Sequence, residues 1–377
     1  MTAGISVLLF AVGVVVSLAA SWLLVSRLER LGERAGLPDA WLGLLAALAA
    51  DAPEITSAVT ALARGQSALG AGVVIGSNVF NLAALLGLAG LVAGRVVFHR
   101  RVVLLAGLPG IWVAAVCLLA VTGVVPPLAG LALTVVVLVP GVLVLGLRRE
   151  RLERLGVPGR LAGWLTAAVH DEESELAGMV RAPRGTWRDG LVAAGALVAV
   201  VGASVTMEQA ATAVGDRFAV AGIITGGLVL AVVTSLPNAV SAIYLARRGR
   251  GAAVLSTALN SNAINVVAGL LVPASVTGLG PRSGQGVLVA GWYAGLTVLA
   301  LALAYRGRGM SRLPGTVVIV GYLAFVAALL ISVGQGAVRP ATVLVPAAVV
   351  AVAGAAVLVT RLTATVSADV LQRRRSG

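Results

Sequence analysis

The chain has 377 residues, of which 59% are hydrophobic and only 11% are charged, and its mean hydropathy is +1.01. A soluble domain averages about 25% charged residues, so a chain this apolar must use the lipid bilayer as its solvent rather than bury everything in one core. The net charge of +13 does not indicate a nucleic-acid partner, because the arginines lie at the ends of apolar segments and not on one polar domain.

Apolar runs long enough to cross a bilayer need about 20 residues. Eleven such runs are predicted as membrane spans, at approximately 4–26, 38–63, 68–94, 102–121, 126–147, 190–209, 218–246, 251–277, 286–305, 314–334 and 341–362. No basic segment precedes the first run, which predicts a spanning helix rather than a cleaved signal peptide.

The arginines alternate between the two sides of these predicted spans. The linkers after spans 1, 3, 5, 7 and 9, together with the C-terminal tail, hold 24 of the 28, and the opposite linkers hold 4. Positive residues accumulate on the cytoplasmic side, so we expect the N-terminus outside and the C-terminus in the cytoplasm of a bacterial-type plasma membrane. The longest linker, 148–189, is then cytoplasmic. Its start at 148–170 is a candidate for an amphipathic helix along the membrane surface, and its acidic stretch 171–175 lacks EF-hand spacing.

Two segments of the chain match each other at a fixed offset of 184 residues. The identical pairs include proline, glycine, serine and asparagine, which are informative residues within a membrane span. They are Gly43 and Gly227, Ala47 and Ala231, Pro53 and Pro237, Ser57 and Ser241, Gly65 and Gly249, Ser77 and Ser261, Asn78 and Asn262, and Asn81 and Asn265. The copies cover spans 2 and 3 and spans 7 and 8. Because five crossings separate them, they run through the bilayer in opposite directions, as in many secondary transporters.

Only two of the fifteen acidic residues, Asp51 and Glu54, lie deep within a predicted span, whereas Asp39 starts span 2 and Glu208 lies near the outer end of span 6. A carboxylate at mid-bilayer costs about 2.5–3.5 kcal/mol on the insertion scale. Residues three apart share one helix face, and no Lys or Arg within a span is available to neutralise them. The pair is therefore expected to face a cavity, a cation or each other.

Oxygen-bearing residues surround this pair in both copies. Pro53 and Pro237 each free a carbonyl in the preceding turn, and such a carbonyl needs a partner in a membrane. The predicted cation site consists of Asp51, Glu54, Ser77, Asn81, Thr234, Ser235, Asn238, Ser261 and Asn265, with the carbonyls of Ala47, Ala50 and Ala231. Hard cations prefer such oxygen ligands. Any single Ser or Asn in this set fits equally well as a hydrogen-bonding contact between helices.

The segments PEITSAVTALARGQSALGAGVVIGSNVFN and TSLPNAVSAIYLARRG…ALNSNAIN resemble the α-repeats of the calcium/cation antiporter superfamily, the sodium/calcium exchanger-like membrane proteins. The resemblance implies an all-α membrane protein with two inverted five-helix repeats and a central site formed by spans 2, 3, 7 and 8. Span 11 is then an extra C-terminal helix. The implied parts are an N-terminal repeat 1–147, a cytoplasmic linker 148–189, a C-terminal repeat 190–334, and a last span with an Arg-rich tail at 335–377.

The resemblance also implies roles for individual residues. Glu54 matches the cation-binding acid of the first repeat. The matches to positions that line the family's ion sites are Ser77, Asn81, Thr234, Ser235, Ser261 and Asn265, and those to positions offering backbone carbonyls are Ala47 and Ala231.

Two departures from the family pattern stand out. Asn238 replaces the second repeat's acid, and Ala50 and Asp51 replace a Thr-Ser pair. One charge has in effect moved between the repeats, which puts calcium selectivity in question. Like charges oppose joint ionisation in a poor dielectric, so one of the two acids is expected to carry a proton near neutral pH.

The sequence therefore predicts an antiporter that exchanges calcium or sodium for sodium or protons, with inorganic cations and lipid as its partners and no cofactor. A non-transporting cation sensor and a passive channel remain open alternatives, as does the oligomeric state. An enzyme is disfavoured, because the two deep acids lie on one helix and no His-Glu-x-x-His motif is present. The single cysteine, Cys117, excludes an internal disulfide.

Overall fold

The computed structural model describes residues 2–37, 39–145, 147, 149–176 and 185–334. By length and composition, seven helices in this part of the chain can cross a membrane, or up to eight if one pair bent by 45° counts as a single span. The protein is thus a multi-pass helical membrane protein, as its composition predicts. The eleventh predicted span, 341–362, and the arginine-rich tail lie outside the described residues.

The first half of the chain forms helices at all five predicted spans. Its elements are α1 (Ala3–Ala35), α2 (Asp39–Ala50), α3 (Ala52–Ala63), α4 (Ser67–Asn81), π1 (Leu82–Leu88), α5 (Ala89–Ala93), β1 (Arg95–Val97), α6 (Arg100–Val121) and α7 (Pro127–Leu145), where π marks a π-helical segment. Two helices, α8 (Arg149–Arg154) and α9 (Gly159–Leu176), follow in the linker.

The second half also forms helices at all five of its predicted spans, although π2 and β2 have no counterpart at the same places in the first half. Its elements are α10 (Trp187–Arg217), α11 (Gly222–Ile224), π2 (Thr225–Leu230), α12 (Ala231–Thr234), α13 (Leu236–Arg247), α14 (Gly251–Ile264), π3 (Asn265–Leu271), α15 (Val272–Thr277), α16 (Gly284–Gly307), β2 (Gly309–Ser311) and α17 (Arg312–Gly334). Helices α1 and α10 both extend beyond the predicted spans, which end at residues 26 and 209.

Spans 2 and 7 break at equivalent positions. Asp51 separates α2 from α3 with φ −82° and ψ −3°, and Ser235 separates α12 from α13 with φ −84° and ψ −1°. Each break lies two residues before a proline, Pro53 or Pro237, which has no N–H to continue the hydrogen-bond ladder. The 184-residue repeat is therefore a repeat of backbone conformation as well as of sequence.

Spans 3 and 8 each change from α-helix to π-helix at an asparagine. Segment π1 begins directly after Asn81, and π3 begins at Asn265. The tight turns that lead into these spans are also equivalent, since Gly65 and Gly249 have φ +75° and +73°, a conformation that favours glycine. π-Helical turns are rare and often lie at functional sites.

The core of the molecule is formed by spans 3 and 8. In the apolar 18-residue stretch of Ser67–Ala93, 94% of the residues are buried, whereas the corresponding share in Gly4–Ala35 is 28%. Helix α4 approaches π2 so closely that a methyl group added to Gly76 would overlap the backbone carbonyl of Gly227. Small residues at such contacts allow membrane helices to pack backbone to backbone.

A short antiparallel sheet joins the two halves at one end of the bundle. Strand β1 pairs with β2 in the register Arg95↔Ser311, Val96↔Met310 and Val97↔Gly309. Neither strand was predicted, because three-residue strands leave no periodic pattern in a sequence.

Helices α1 and α10 pack against each other on the side of the core. Arg27 Nη1 of α1 lies 2.8 Å from Asp189 Oδ1, and Asp189 also accepts from the backbone N–H of Thr186 at 2.7 Å, which closes a capping box at the start of α10. The two longest helices of the described chain are thereby tied at the end that is predicted to be cytoplasmic.

The linker helix α9 lies in the segment that the sequence suggests as a surface helix. It contacts α6 and α14, and its residues Ala162 and Ala168 are fully buried. Part of α9 therefore packs against the protein, and its position along the membrane surface stays a prediction.

Candidate cation site

The nine side chains that the sequence selects for a cation site converge between the broken spans 2 and 7 and the core helices α4 and α14. All nine are buried and at most 3% exposed: Asp51, Glu54, Ser77, Asn81, Thr234, Ser235, Asn238, Ser261 and Asn265. Both repeats thus contribute to one buried polar cluster, as inverted repeats do in transporters.

Asp51 is held by the second repeat. Its Oδ1 atom accepts hydrogen bonds from Asn238 Nδ2 and from Ser261 Oγ, both at 2.7 Å. Asn238 Nδ2 also lies 3.2 Å from Ser261 Oγ, so the three side chains form one network. Because Asp51 sits at the break between α2 and α3, the carboxylate is oriented by the bend and by these two donors.

Glu54 is held in the equivalent way. Its Oε1 atom accepts from Ser235 Oγ at 2.7 Å, and Ser235 is the repeat counterpart of Asp51. The contacts Asp51–Asn238 and Glu54–Ser235 are therefore the two symmetry-related contacts between the broken spans. In the part of the chain that the structure describes, neither carboxylate forms a salt bridge with an arginine.

Several buried oxygen atoms of the cluster have no hydrogen-bond partner. They are Asp51 Oδ2, Glu54 Oε2, Ser77 Oγ, Asn81 Oδ1 and Asn265 Oδ1. A buried polar atom left unpaired costs about 1–3 kcal/mol, and more when it is charged, so these oxygens favour a bound ligand. Within the described ranges no three His, Cys, Asp or Glu side chains cluster. A cation here would be bound by two carboxylates and neutral oxygens.

The predicted backbone ligands already take part in helix hydrogen bonds. The Ala47 carbonyl accepts from the N–H of Asp51 at 2.9 Å, and the Ala231 carbonyl accepts from the N–H of Ser235 at 3.2 Å. Each carbonyl keeps a second lone pair. Ala50 ends α2 next to the break. Their role as ligands stays a prediction.

Thr234 uses its hydroxyl proton within its own helix, since Oγ1 lies 2.9 Å from the Leu230 carbonyl. Its oxygen lone pairs remain available to a ligand. Thr234 thus differs from Ser235, whose hydroxyl crosses to Glu54.

Two residues that the sequence did not select as site residues link the repeats. Asn78 Nδ2 donates to the backbone carbonyl of Asn262 at 3.1 Å, and Asn262 Nδ2 donates to that of Asn78 at 3.2 Å. The signal was available in the sequence, because these two residues are an identical pair at the 184-residue offset. The reciprocal contact places them on the axis that relates the two copies.

A third carboxylate is fully buried away from this cluster. Glu208 of α10 has 0% exposure, and its Oε2 atom pairs with Arg64 Nη1 at 3.1 Å at the end of α3. The sequence placed Glu208 near the outer end of span 6, and α10 continues past it to Arg217. This ion pair joins α10 to the core.

Three solved structures align with most of this chain, and two of them are named as cation exchangers. The H⁺/Ca²⁺ exchanger CAX aligns with a TM-score of 0.66 and 15% identity, covering 98% of this chain and 91% of that chain. The sodium–calcium exchanger NCX_Mj aligns with a TM-score of 0.53 and 17% identity over 87% of this chain and 100% of that chain. YfkE aligns with a TM-score of 0.54 and 18% identity over 85% and 91%. At these identities the likeness shows the fold, which is that of two inverted exchanger repeats.

Sequence comparisons agree with the fold. The protein CaxA of Alkalimonas amylolytica is 33% identical over 86 residues, which is 22% of this chain and 27% of that protein. The sequence profile of the family described as sodium/calcium exchanger protein matches residues 5–170 and 190–331, and so covers both repeats and most of the chain. The chain belongs to the sodium/calcium exchanger protein family of membrane ion transporters.

Proposed function

We propose that this protein is a secondary active antiporter that binds a cation at Asp51 and Glu54 and exchanges it for sodium or protons by alternating access. One observation carries the proposal. Two fully buried carboxylates each present one unpartnered oxygen, at a place where neutral donors of the opposite repeat hold the other oxygen. A buried negative charge without a positive partner is costly, and a bound cation removes that cost.

The chemistry of the cluster favours calcium or sodium as the cation. Its available atoms are carboxylate, hydroxyl and amide oxygens, which suit hard cations, and it holds no thiolate or imidazole among the described residues. A carboxylate must be deprotonated to bind a metal ion, so cation binding competes with protons. Two proteins with the same fold are named as an H⁺/Ca²⁺ exchanger and a sodium–calcium exchanger, which agrees with an exchange of calcium or sodium for sodium or protons.

Alternating access requires one group of helices to move against another. The pair α1–α10 is suited to this, because its interface with α2 and α3 holds an apolar cleft of about 380 Å³ lined by residues such as Leu24, Leu48 and Leu197. Apolar contacts have no fixed direction and so permit sliding, whereas the Arg64–Glu208 pair between α3 and α10 must release when these helices move. In our proposal the repeats 1–147 and 190–334 surround the site, with the N-terminus outside and the C-terminus and linker 148–189 in the cytoplasm.

A second candidate function is cation sensing without exchange. Asn238 favours it, because the second repeat has no acid at the position where the family resemblance implies one. A sensor and an antiporter differ in one measurement: the sensor binds the cation but shows no counter-ion flux.

The test is flux in proteoliposomes that contain the purified protein. We expect calcium or sodium gradients to drive counter-flux of sodium or protons, and we expect Glu54→Gln to abolish this flux because it removes one ligand charge. Glu150→Gln is the matched control, since Glu150 is exposed on the linker helix α8 and its loss should leave flux unchanged. Undiminished flux in Glu54→Gln would show that the site is wrongly assigned, and saturable binding without counter-flux would favour the sensor.

A further inference from the structure

Four buried asparagines face one another across the axis that relates the repeats. Asn78 and Asn81 belong to α4, and Asn262 and Asn265 lie at the junction of α14 and π3. Each is at most 1% exposed. Their side-chain amides contact one another across the two repeats, and two of them also contact other residues: Asn81 contacts Ser261 and Asn78 contacts Tyr293.

The contacts join an asparagine of one repeat to an asparagine of the other. Asn265 Nδ2 donates to Asn78 Oδ1 at 3.3 Å, and Asn81 Nδ2 donates to Asn262 Oδ1 at 3.1 Å. The amide nitrogens of Asn78 and Asn262 are in turn anchored on each other's backbone carbonyls. Asn78 and Asn262, which we call the asparagine bridge, therefore present only their oxygens to Asn265 and Asn81.

An amide held through its nitrogen must direct its oxygen elsewhere. The oxygens Asn81 Oδ1 and Asn265 Oδ1 are buried and have no hydrogen-bond partner among the described residues. If either amide turned over, its oxygen would face the oxygen of the bridge. A buried pair of facing acceptors is unfavourable, so the bridge disfavours that orientation.

We propose that Asn78 and Asn262 are positioning residues that fix the amide oxygens of Asn265 and Asn81 as cation ligands. The inference rests on the proposed cation site and adds a role for two residues that touch no cation themselves. The two arms of the bridge are unequal. Asn81 Nδ2 also contacts Ser261 Oγ at 3.1 Å, whereas Asn78 is the one side-chain acceptor of Asn265 in the described chain. Loss of Asn78 should therefore have the larger effect.

The experiment is a double-mutant cycle on calcium and sodium binding to the purified full chain. Leucine has nearly the shape of asparagine and no polar atoms, so the variants are Asn78→Leu, Asn265→Leu and their combination. We expect each single variant to raise the apparent Kd by about tenfold, and the combination to raise it no further, because Asn78 acts through Asn265. In a cross pair, Asn78→Leu with Asn81→Leu, the two increases in Kd should multiply to about a hundredfold, because each variant removes a different oxygen ligand.

A purely structural role for Asn78 gives a different pattern. The increases in Kd caused by Asn78→Leu and Asn265→Leu would then multiply in the double variant, as those of the cross pair do. That result overturns the inference, and so does a Kd of Asn78→Leu within twofold of the wild-type value. Size-exclusion chromatography and thermal unfolding show whether Asn78→Leu folds. If it does not, the equivalent cycle of Asn262→Leu with Asn81→Leu tests the inference in the same way. Asn262→Leu alone is expected to raise Kd by about threefold.

Failure of the cation site itself looks different. Wild-type protein that binds neither ion, or binds equally well as Glu54→Gln, overturns the proposed function and the bridge together. If Glu54→Gln abolishes binding but the increases in Kd caused by Asn78→Leu and Asn265→Leu multiply in the double variant, only the proposed role of the bridge is overturned.

Discussion

The two repeats bend in the same way and carry different charge. The breaks at Asp51 and Ser235 agree within 2° in both backbone angles, and each is followed by a proline at the same distance. Yet both deep carboxylates lie on the first break, and the second break offers a serine hydroxyl and an amide in their place. Backbone symmetry and charge symmetry are therefore separate properties of this fold.

The reason is that they depend on different residues. The bends follow from Pro53 and Pro237, which lack the N–H that a continuous helix needs. The charges depend on positions 51 and 238, whose side chains meet at 2.7 Å from opposite repeats. A charge on either side of that contact would lie at almost the same place, so the contact can exchange its carboxylate and amide without disturbing either bend.

Exchanging these two groups is the strongest test of the comparison, and we expect the largest effect here. Asp51→Asn removes a charge-assisted contact worth about 1.5–3 kcal/mol and should weaken calcium or sodium binding tenfold to a hundredfold. The double variant Asp51→Asn with Asn238→Asp moves the carboxylate to the second repeat and should restore binding to within about tenfold of wild type. Binding is measured by isothermal titration on purified protein.

The control for the exchange is Asn238→Asp alone, which adds a third carboxylate to the cluster. Repulsion among the three is expected to lower thermal stability in the absence of a cation. If the double variant binds no better than Asp51→Asn, the two positions are not interchangeable and the charge is tied to the first repeat.

A second difference between the repeats is steric. Gly76 faces the backbone of Gly227 across α4 and π2, and its repeat counterpart is Asn260. We expect Gly76→Ala to destabilise the protein by about 1–3 kcal/mol, because the added methyl forces two packed backbones apart. The melting temperature of the protein in detergent measures this.

Gly195→Ala is the matched control for Gly76→Ala. A methyl at Gly195 of α10 meets nothing within 4 Å, and alanine favours helix over glycine by up to about 1 kcal/mol. The control should be neutral or slightly stabilising. Equal melting temperatures for the two variants would contradict the close approach of α4 and π2.

The smallest expected effect concerns the arginines that end the two broken spans. Arg64 pairs with the buried Glu208 and is itself 42% exposed, whereas its counterpart Arg248 lies over the ring of Tyr244 at 4.5 Å. An ion pair open to water on one side contributes up to about 1 kcal/mol, and an exposed cation–π contact about 0.5 kcal/mol. Glu208 is expected to take up a proton when its partner is lost, which avoids a buried unpaired charge, so Arg64→Gln should lower stability only slightly more than Arg248→Gln.

Salt separates the two cases in a thermal unfolding series. Screening weakens the Arg64–Glu208 attraction, so the difference between the two variants should shrink as ionic strength rises. A difference that does not change with salt would mean that the aliphatic part of Arg64, rather than its charge, stabilises the contact.

Local patterns in the sequence were sufficient for much of this structure. The spans of the described chain follow from apolar length, because each must satisfy its backbone hydrogen bonds within the bilayer. The inverted repeat follows from the prolines, glycines and asparagines that recur 184 residues apart. The selection of Asp51 and Glu54 as site residues follows from the free-energy cost of placing a carboxylate in lipid.

Other features depend on contacts that no local pattern records. The asparagine bridge, the Arg64–Glu208 pair and the β1–β2 sheet all join residues that are more than 140 positions apart. The burial of Ala162 and Ala168 of α9 against the protein is likewise a tertiary contact that its local sequence does not record.

The sequence by itself determined that this protein spans a membrane, that its halves are inverted copies, and that two acids lie among oxygen-bearing residues of both copies. These properties follow from the solvation of one segment at a time. Only the tertiary structure decided which oxygen of each acid and amide is already paired and which is left to a ligand. That choice depends on the orientation of side chains from two distant segments, and it is made only when the two repeats are packed together.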